Sequence, residues 1–343
     1  MNTSADKIKK ILIARTENRI GDIILTLPLA GILKSHFPAM QVALLGTRYS
    51  EPIAKKSTFI DTFYNWNRFK DLSQCNADAV MLVSPYFDIA KAAWQAKIPV
   101  RIGTARRWFH WFYTNRRVFL KHRPVNLHET QLSTSFLSAL GIKESFNIDT
   151  LYRYYGWQKE PKRPLPDVIS DNKYNVILHP KSKGSAPQWP LQHYRELADM
   201  LDGQRFNVII SGSKEEKDSM QQDCPQLFEL PHVTDISGRY ELADFIGIVE
   251  QADCLVANST GPLHLAAAAG INTVGLYAPV RPQHPGRWKP IGKRVTVLCH
   301  GQLTNDKKYI DKIAAITPHE VKETVEEMLK KQPIRDTFRR KIS

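Results

Sequence analysis

What this chain lacks narrows it before anything it contains. In 343 residues no apolar run approaches the roughly 20 residues needed to cross a bilayer, so a soluble chain is expected. Cysteine is scarce: Cys75, Cys224, Cys254 and Cys299 are widely spaced and form no C-x-x-C pair, which argues against a metal cage and against a disulfide framework. The opening stretch MNTSADKIKKILIA holds lysines but only one short apolar run, Ile11 to Ala14. It reads as a first strand and not as a secretory signal, and the cytoplasm fits best. That strand is followed by RTENRIGD and not by G-x-G-x-x-G, which sets aside a nicotinamide oxidoreductase. Neither a sequence repeat nor a low-complexity tract is present.

The length suits two domains of about 150 residues each. Strands alternating with helices predict an α/β chain with parallel, doubly wound sheets. In the first half, strands are expected at Lys10–Arg15, Val42–Leu45, Ala79–Ser84, Val100–Gly103 and Val118–Leu120. Helices are expected at Asp22–His36, Ile89–Lys97 and Glu129–Leu140. The proline-rich, charged stretch GWQKEPKRPLPDVISD, Gly156 to Asp171, reads as an exposed linker. The second half offers strands at Asn175–His179 and Asn207–Gly212, with helices at His193–Leu201, Lys214–Asp223 and Glu241–Gln251. This places an N-terminal domain over 1–160, a C-terminal domain over 172–317, and a helix with a loose basic tail over 318–343.

The segment Cys254 to Trp288 is the most informative. A short apolar run, Cys254 to Ala257, is bounded by turn residues and predicts a buried strand. Asn258, Ser259 and Thr260 then offer capping oxygens, Gly261 permits close backbone approach, and Pro262 sits in a first helical turn where its missing donor costs nothing. The helix that follows closes at Gly270, and Thr273 to Tyr277 resumes as a strand. Helix N-termini attract anions through unpaired N–H groups and the helix dipole, so a phosphate is the favoured occupant. His264 lies close enough to reach the same anion or is a packed core histidine.

In open parallel sheets ligands lie beyond the carboxyl ends of the strands. Two such domains facing a central cleft would bring three loops together: Thr16 to Asp22, Pro180 to Pro190, and Asn258 to Gly261. The first offers Arg15, Gly21 and Asp22, whose carboxylate is either a first-turn helix stabiliser or the acceptor of a sugar hydroxyl's proton. The second, HPKSKGSAPQWP, is built of small residues and two lysines and suits a pyrophosphate or a flexible surface loop.

Net charge is +14, which predicts attraction to an anionic partner. Much of it sits in Arg101 to Arg123, RIGTARRWFHWFYTNRRVFLKHR, where Arg106, Arg107, Arg116 and Arg117 are interleaved with aromatics. Such mixtures suit phosphate heads beside apolar tails, or stacked bases, or a half-buried strand with wet basic residues. No nucleic-acid recognition motif accompanies the charge, so no nucleic-acid partner is expected.

Taken together, ILIARTENRIGDIILTLPLAGILKSHFP, HPKSKGSAPQWPLQHYRELADML and NSTGPLHLAAAAGINTVGLYAP resemble glycosyltransferase family 9, the ADP-heptose:lipopolysaccharide heptosyltransferases, across nearly the whole chain. The resemblance implies the GT-B fold, a nucleotide-sugar donor bound by the second domain, and an acceptor facing the first. It further implies inverting transfer without a metal and without any cofactor besides the nucleotide-sugar, which is a substrate. Carried onto this chain, it makes Asp22 the general base, with Arg15 and Gly21 beside it on the acceptor side. Lys181, Ser182 and Lys183 fall near the phosphates, and Ser259, Thr260, Gly261, Pro262 and His264 at the diphosphate. Glu215 or Glu216 falls near the nucleoside. Arg106, Arg107, Arg116 and Arg117 would then receive a phosphorylated lipid-linked saccharide at the cytoplasmic face of the inner membrane.

Two departures stand out. Family members commonly carry a basic residue where this chain has Pro187, so Lys181 or Lys183 would replace it. Many also read Asp-Thr-Gly where this chain reads Ser259, Thr260, Gly261. A different nucleotide-sugar donor, or a sugar-nucleotide-binding protein without transfer, are the alternative readings.

Overall fold

The structure, a computed structural model, describes residues 5–120, 127–159, 168–182, 184 and 186–330. Lys183, half of the expected linker (160–167) and the basic tail therefore lie outside the described residues. The chain divides into two compact units, Met1–Gln158 and Lys159–Ser343.

In the first unit β1 (Lys10–Ala14), β2 (Gln41–Gly46), β3 (Thr62–Asn65), β4 (Ala79–Leu82), β5 (Val100–Thr104) and β6 (Arg116–Val118) form one six-stranded sheet in the order β3-β2-β1-β4-β5-β6. Every pairing is parallel. Successive residues Ile11, Leu12 and Ile13 are all buried, which requires both faces of the sheet to be covered. The helices are α1 (Ile20–Ile24), α2 (Leu27–His36), α3 (Glu51–Ala54), α4 (Phe87–Gln95), α5 (His110–Tyr113) and α6 (Glu129–Thr134).

The second unit repeats this winding with unrelated residues. Its strands β7 (Tyr174–His179), β8 (Phe206–Ile210), β9 (Val233–Asp235), β10 (Cys254–Asn258), β11 (Asn272–Leu276) and β12 (Val295–Leu298) lie in the order β12-β11-β10-β7-β8-β9, again all parallel. The helices are α7 (Leu191–Met200), α8 (Lys214–Asp223), α9 (Leu242–Gln251), α10 (Gly261–Ala269), α11 (Pro285–Trp288) and α12 (Pro318–Lys330). The helix set apart by the sequence reading, α12, places Val321, Val325 and Leu329 at four-residue spacing into the same core as Tyr194, Leu197 and Ala198 of α7. It is an integral part of the second unit.

Several expected elements differ. The single helix expected from Asp22 to His36 breaks between α1 and α2. Pro28 has no N–H to offer the Ile24 carbonyl, and the Thr26 hydroxyl donates to the Asp22 carbonyl at 2.8 Å instead. The helix expected to run to Leu140 gives way at Ser135 to a 3-10 helix, Ser135–Leu140, where the hydroxyls of Thr134 and Ser135 both donate to the Gln131 carbonyl. The strand expected at Val118–Leu120 is found at Arg116–Val118, paired by its backbone with Ile102, Gly103 and Thr104, and Phe119 points into solvent at 74% exposure. At Gly156, where the exposed linker was expected to begin, the chain is still fastened to the first unit: Thr58 N donates to the Gly156 carbonyl at 2.9 Å, and Gln158 N to that of Lys56 at 2.8 Å.

Gly31, in α2, packs directly against Tyr154. A Cβ at this position would lie 2.8 Å from Tyr154 Cα and would also strike the Tyr154 carbonyl oxygen, both backbone atoms that cannot swing away. Alanine normally stabilises a helix interior by about 0.5–1 kcal/mol relative to glycine. Gly31→Ala is therefore expected to reverse that sign and destabilise by about 1–3 kcal/mol, read as a lower urea midpoint. An unchanged or higher midpoint would show that the 3-10 helix carrying Tyr154 yields freely.

Candidate functional site

In each unit the strand order reverses direction once, between β1 and β4 and between β7 and β10. Loops leaving the two strands at such a point diverge and leave a crevice at the carboxyl edge.

In the first unit polar side chains line this crevice. Thr16 N donates to Ser84 Oγ at 3.2 Å, and Ser84 Oγ in turn donates to the Glu17 carboxylate, so the loops after β1 and β4 are tied across the switch. Arg15, just past β1, sets its Nε 3.2 Å from Glu17 Oε2 and its Nη2 2.9 Å from Asp22 Oδ1. Asp22 lies in the first turn of α1, and the Arg15 and Asp22 side chains are each only 9% exposed. Burial raises the Asp22 carboxyl above the ordinary carboxylate range. Arg15 and Arg19 oppose that rise, and the charges of Glu129 and Glu17 add to it. Thr130 Oγ1 donates to the Leu25 carbonyl at 3.0 Å, fastening α6, with Glu129 at its start, to the end of α1.

Arg15 is thus a clamp on two carboxylates. Sequence reasoning named Arg15, Gly21 and Asp22 but passed over Glu17, Ser84 and Glu129. Glu17 could have been found, since it stands in the same loop. Ser84 and Glu129 join the site only through the sheet order and helix packing.

In the second unit Asn258 closes the switch. Its fully buried side chain donates through Nδ2 to the Pro180 carbonyl at 2.6 Å and accepts from Trp189 N at 2.8 Å. The expected capping role of Asn258 is therefore replaced by a brace on the 180–190 loop. Trp189, itself buried, donates through Nε1 to the Ile316 carbonyl at 2.8 Å. Within the loop Ser182 Oγ donates to the Ala186 carbonyl at 2.8 Å and accepts from Gln188 Nε2 at 3.1 Å. Lys181 Nζ lies 2.9 Å from Asp223 Oδ2, at the end of α8.

Thr260 is the N-cap of α10, with extended backbone and no side-chain cap bond, followed by Gly261 and Pro262 in the first turn. Its hydroxyl oxygen is buried and has no hydrogen-bond partner among the described residues. A buried hydroxyl left without a partner is costly, and its place at the positive end of a nine-residue helix marks it for an anionic acceptor. His264 is buried on the same helix, with its N 3.4 Å from the Thr260 carbonyl. Ser259 hydrogen-bonds Tyr277, whose hydroxyl also donates to the Trp288 carbonyl at 2.6 Å. This holds the loop after β11 beside the start of α10. The same loop carries Arg281, whose Nε is buried without a partner among the described residues, a residue the sequence reading did not single out.

Of the two carboxylates proposed for the nucleoside, Glu216 accepts from Ser213 N at 2.8 Å in a capping box, whereas Glu215 is exposed one residue earlier on α8. The four arginines of the basic segment are also not equivalent. Arg106 and Arg107 are exposed. Arg116 donates to the Ala139 carbonyl at 2.8 Å, and Arg117 donates to that of Thr114 at 2.9 Å while stacking 4.6 Å over the Trp111 ring.

Comparison with known proteins places this geometry. The profile of glycosyltransferase family 9 (heptosyltransferase) matches residues 66–315. The lipopolysaccharide core heptosyltransferase OpsX of Haemophilus influenzae is 23% identical over 261 residues, 72% of this chain and 69% of that protein. Among solved structures, the family 9 glycosyl transferase of Veillonella parvula superposes with a TM-score of 0.77 at 17% identity, covering 97% of this chain and 100% of that one. The Escherichia coli heptosyltransferase WaaC with ADP gives 0.69 at 17% identity, covering 93% and 99%. The two doubly wound units have the α/β architecture of the GT-B fold.

The direction of the Asp22 shift gives a stability test. Its folded-state pKa lies above the ordinary 3.8, so ionising it costs folding free energy, and that loss accumulates as pH rises from the ordinary value through the raised one. An amide at this position carries no such penalty. The Tm of Asp22→Asn minus that of the parent is therefore expected to grow as pH is raised from about 4 to about 7. A difference that shrinks over this window would mean that Arg15, and not burial, dominates the carboxylate.

Proposed function

The chain belongs to glycosyltransferase family 9 and is a heptosyltransferase-like glycosyltransferase, and on that premise we propose that it moves heptose from ADP-heptose to a lipopolysaccharide core or related lipid-linked saccharide, with inversion and without a metal. The observation that carries the donor side is the buried Thr260 hydroxyl, without a partner among the described residues, at the N-terminus of α10. Thr260, the Gly261 amide and the helix dipole offer donors to a diphosphate, His264 lies on the same helix, and Lys181 adds a cation that here is held by Asp223. Lys183 is assigned to the same phosphates. Glu215 is assigned to the nucleoside.

On the acceptor side Asp22 takes the proton of the attacking hydroxyl as that oxygen bonds to the anomeric carbon and the bond to the diphosphate breaks. A carboxylate whose pKa is lifted by burial is a stronger base than a solvated one, and Arg15 favours its charged form. The leaving diphosphate gathers the larger charge, and preorganised donors aimed at such charge contribute about 3–4 kcal/mol each. The protein is assigned to the cytoplasm, peripheral to the inner membrane, where a lipid-linked acceptor would be met.

A different donor sugar is the second reading. It is favoured by Ser259, which stands where many relatives carry Asp and which is engaged with Tyr277.

Two variants separate the roles. Asp22→Asn is expected to lower kcat by about 10²- to 10⁴-fold while ADP-heptose affinity stays at the parent value. Thr260→Val is expected to weaken ADP binding by about ten-fold or more. Loss of donor binding in the first variant, or unchanged ADP affinity in the second, would contradict the assignment.

A further inference from the structure

Among the described residues, the exposed apolar side chains of the first unit concentrate in one segment. Of the eleven large hydrophobic side chains exposed among the described residues, eight fall between Tyr86 and Leu127. Trp108, Phe112 and Phe119 are 69%, 72% and 74% exposed. The rings contact one another in two neighbouring groups: Phe87 meets Trp108 at 6.1 Å and Trp108 meets Phe112 at 6.2 Å, while Trp111, next to Phe112 in the chain, meets Phe119 at 6.4 Å between centroids. A contiguous aromatic patch of this kind on a water-facing surface marks a contact with something else.

The patch stands on a fixed base. His110 is fully buried with Nδ1 2.8 Å from the Thr104 carbonyl oxygen, Trp111 Nε1 donates to the Ala105 carbonyl at 3.1 Å, and Arg101 Nε donates to that of Tyr113 at 2.8 Å. The rings are thus held outward by bonds beneath them, and docking orders little that is not already ordered. Charge selects the occupant. Between Asp78 and Glu129 the chain carries nine Lys or Arg residues and a single acid, Asp88. A protein groove of matched shape would need only the rings, whereas exposed Trp and Phe set among exposed arginines match the boundary between acyl chains and anionic headgroups.

We propose that this face, formed by α4, the 105–113 turn and Phe119, docks the first unit on an anionic lipid bilayer. Trp108 and Phe112 enter the headgroup layer, and Arg106 and Arg107 engage lipid phosphates. Arg116 and Arg117, bonded to backbone carbonyls, hold the base. The proposal rests on the function above for its reason, since a lipid-linked acceptor lies in such a surface, but binding to lipid is read without any transfer.

The test is flotation of the full chain with vesicles of phosphatidylglycerol and phosphatidylcholine in equal parts, and with phosphatidylcholine alone. The protein is expected to float with the mixed vesicles only. Arg106→Ser with Arg107→Ser is expected to weaken binding by about 25-fold at low salt, taking about five-fold per arginine near an anionic surface, and to flatten its salt dependence. Trp108→Ser with Phe112→Ser is expected to abolish flotation while leaving Tm and calorimetric ADP affinity unchanged. Absence of flotation, flotation that survives both double variants, or a concentration-dependent dimer that the Trp108 and Phe112 variant dissolves would overturn the proposal. The last outcome would assign the face to a second copy. Flotation by a protein that binds no ADP would leave the docking surface standing and remove the donor reading.

Discussion

A parallel sheet sends the carboxyl end of every strand to one edge, and winding outward in both directions from a central strand forces two neighbouring loops apart. Both units of this chain obey that constraint, with β1 beside β4 in one and β7 beside β10 in the other. Each crevice would expose backbone to water and leave strand ends loose unless something bridged it. The first unit bridges it with Ser84 and Glu17, the second with Asn258, whose amide reaches both ends of the 180–190 loop. The candidate site residues hang on these bridges. Arg15 is oriented by Glu17, and the loop that carries Lys181 and Ser182 is held down by Asn258 and Trp189.

The two crevices carry opposite electrostatic arrangements. In the first, a buried carboxylate is lifted by desolvation and by neighbouring acids while Arg15 and Arg19 oppose that rise, a balance of the kind found where protons are transferred. In the second, a hydroxyl with no partner among the described residues stands at the positive end of α10. Each arrangement costs the fold something, since a buried carboxylate and an unsatisfied hydroxyl are both destabilising when empty. Such costs tend to persist where a ligand or reaction relieves them.

The segment from β10 to β11 was legible almost to the residue, because a buried parallel strand, a helix opened by Pro262 and closed by Gly270 at φ 75°, and a second buried strand each leave a local mark. The edge strands β3, β9 and β12 left none, being only half-buried and held by backbone pairing to one neighbour. The break at Pro28 was written in the sequence and overridden by the apolar period on either side. Glu129 was out of reach because more than a hundred residues separate it from Asp22. That both units would be doubly wound was legible from the alternation of strands and helices, whereas the order of the strands within each sheet was not. Arg116 and Arg117 looked like Arg106 and Arg107 on paper, and only the carbonyls of Ala139 and Thr114 distinguish them.

The central claim is that the carboxyl edge of the second sheet binds an ADP-sugar through the start of α10. Calorimetric titration of the unaltered protein with ADP, ADP-heptose, UDP-sugars and GDP-sugars tests it most directly. The account predicts saturable heat with ADP and ADP-heptose and little with the others. Binding confined to UDP- or GDP-sugars would replace the donor, and no heat from any nucleotide diphosphate would contradict the assignment of this edge as a donor site.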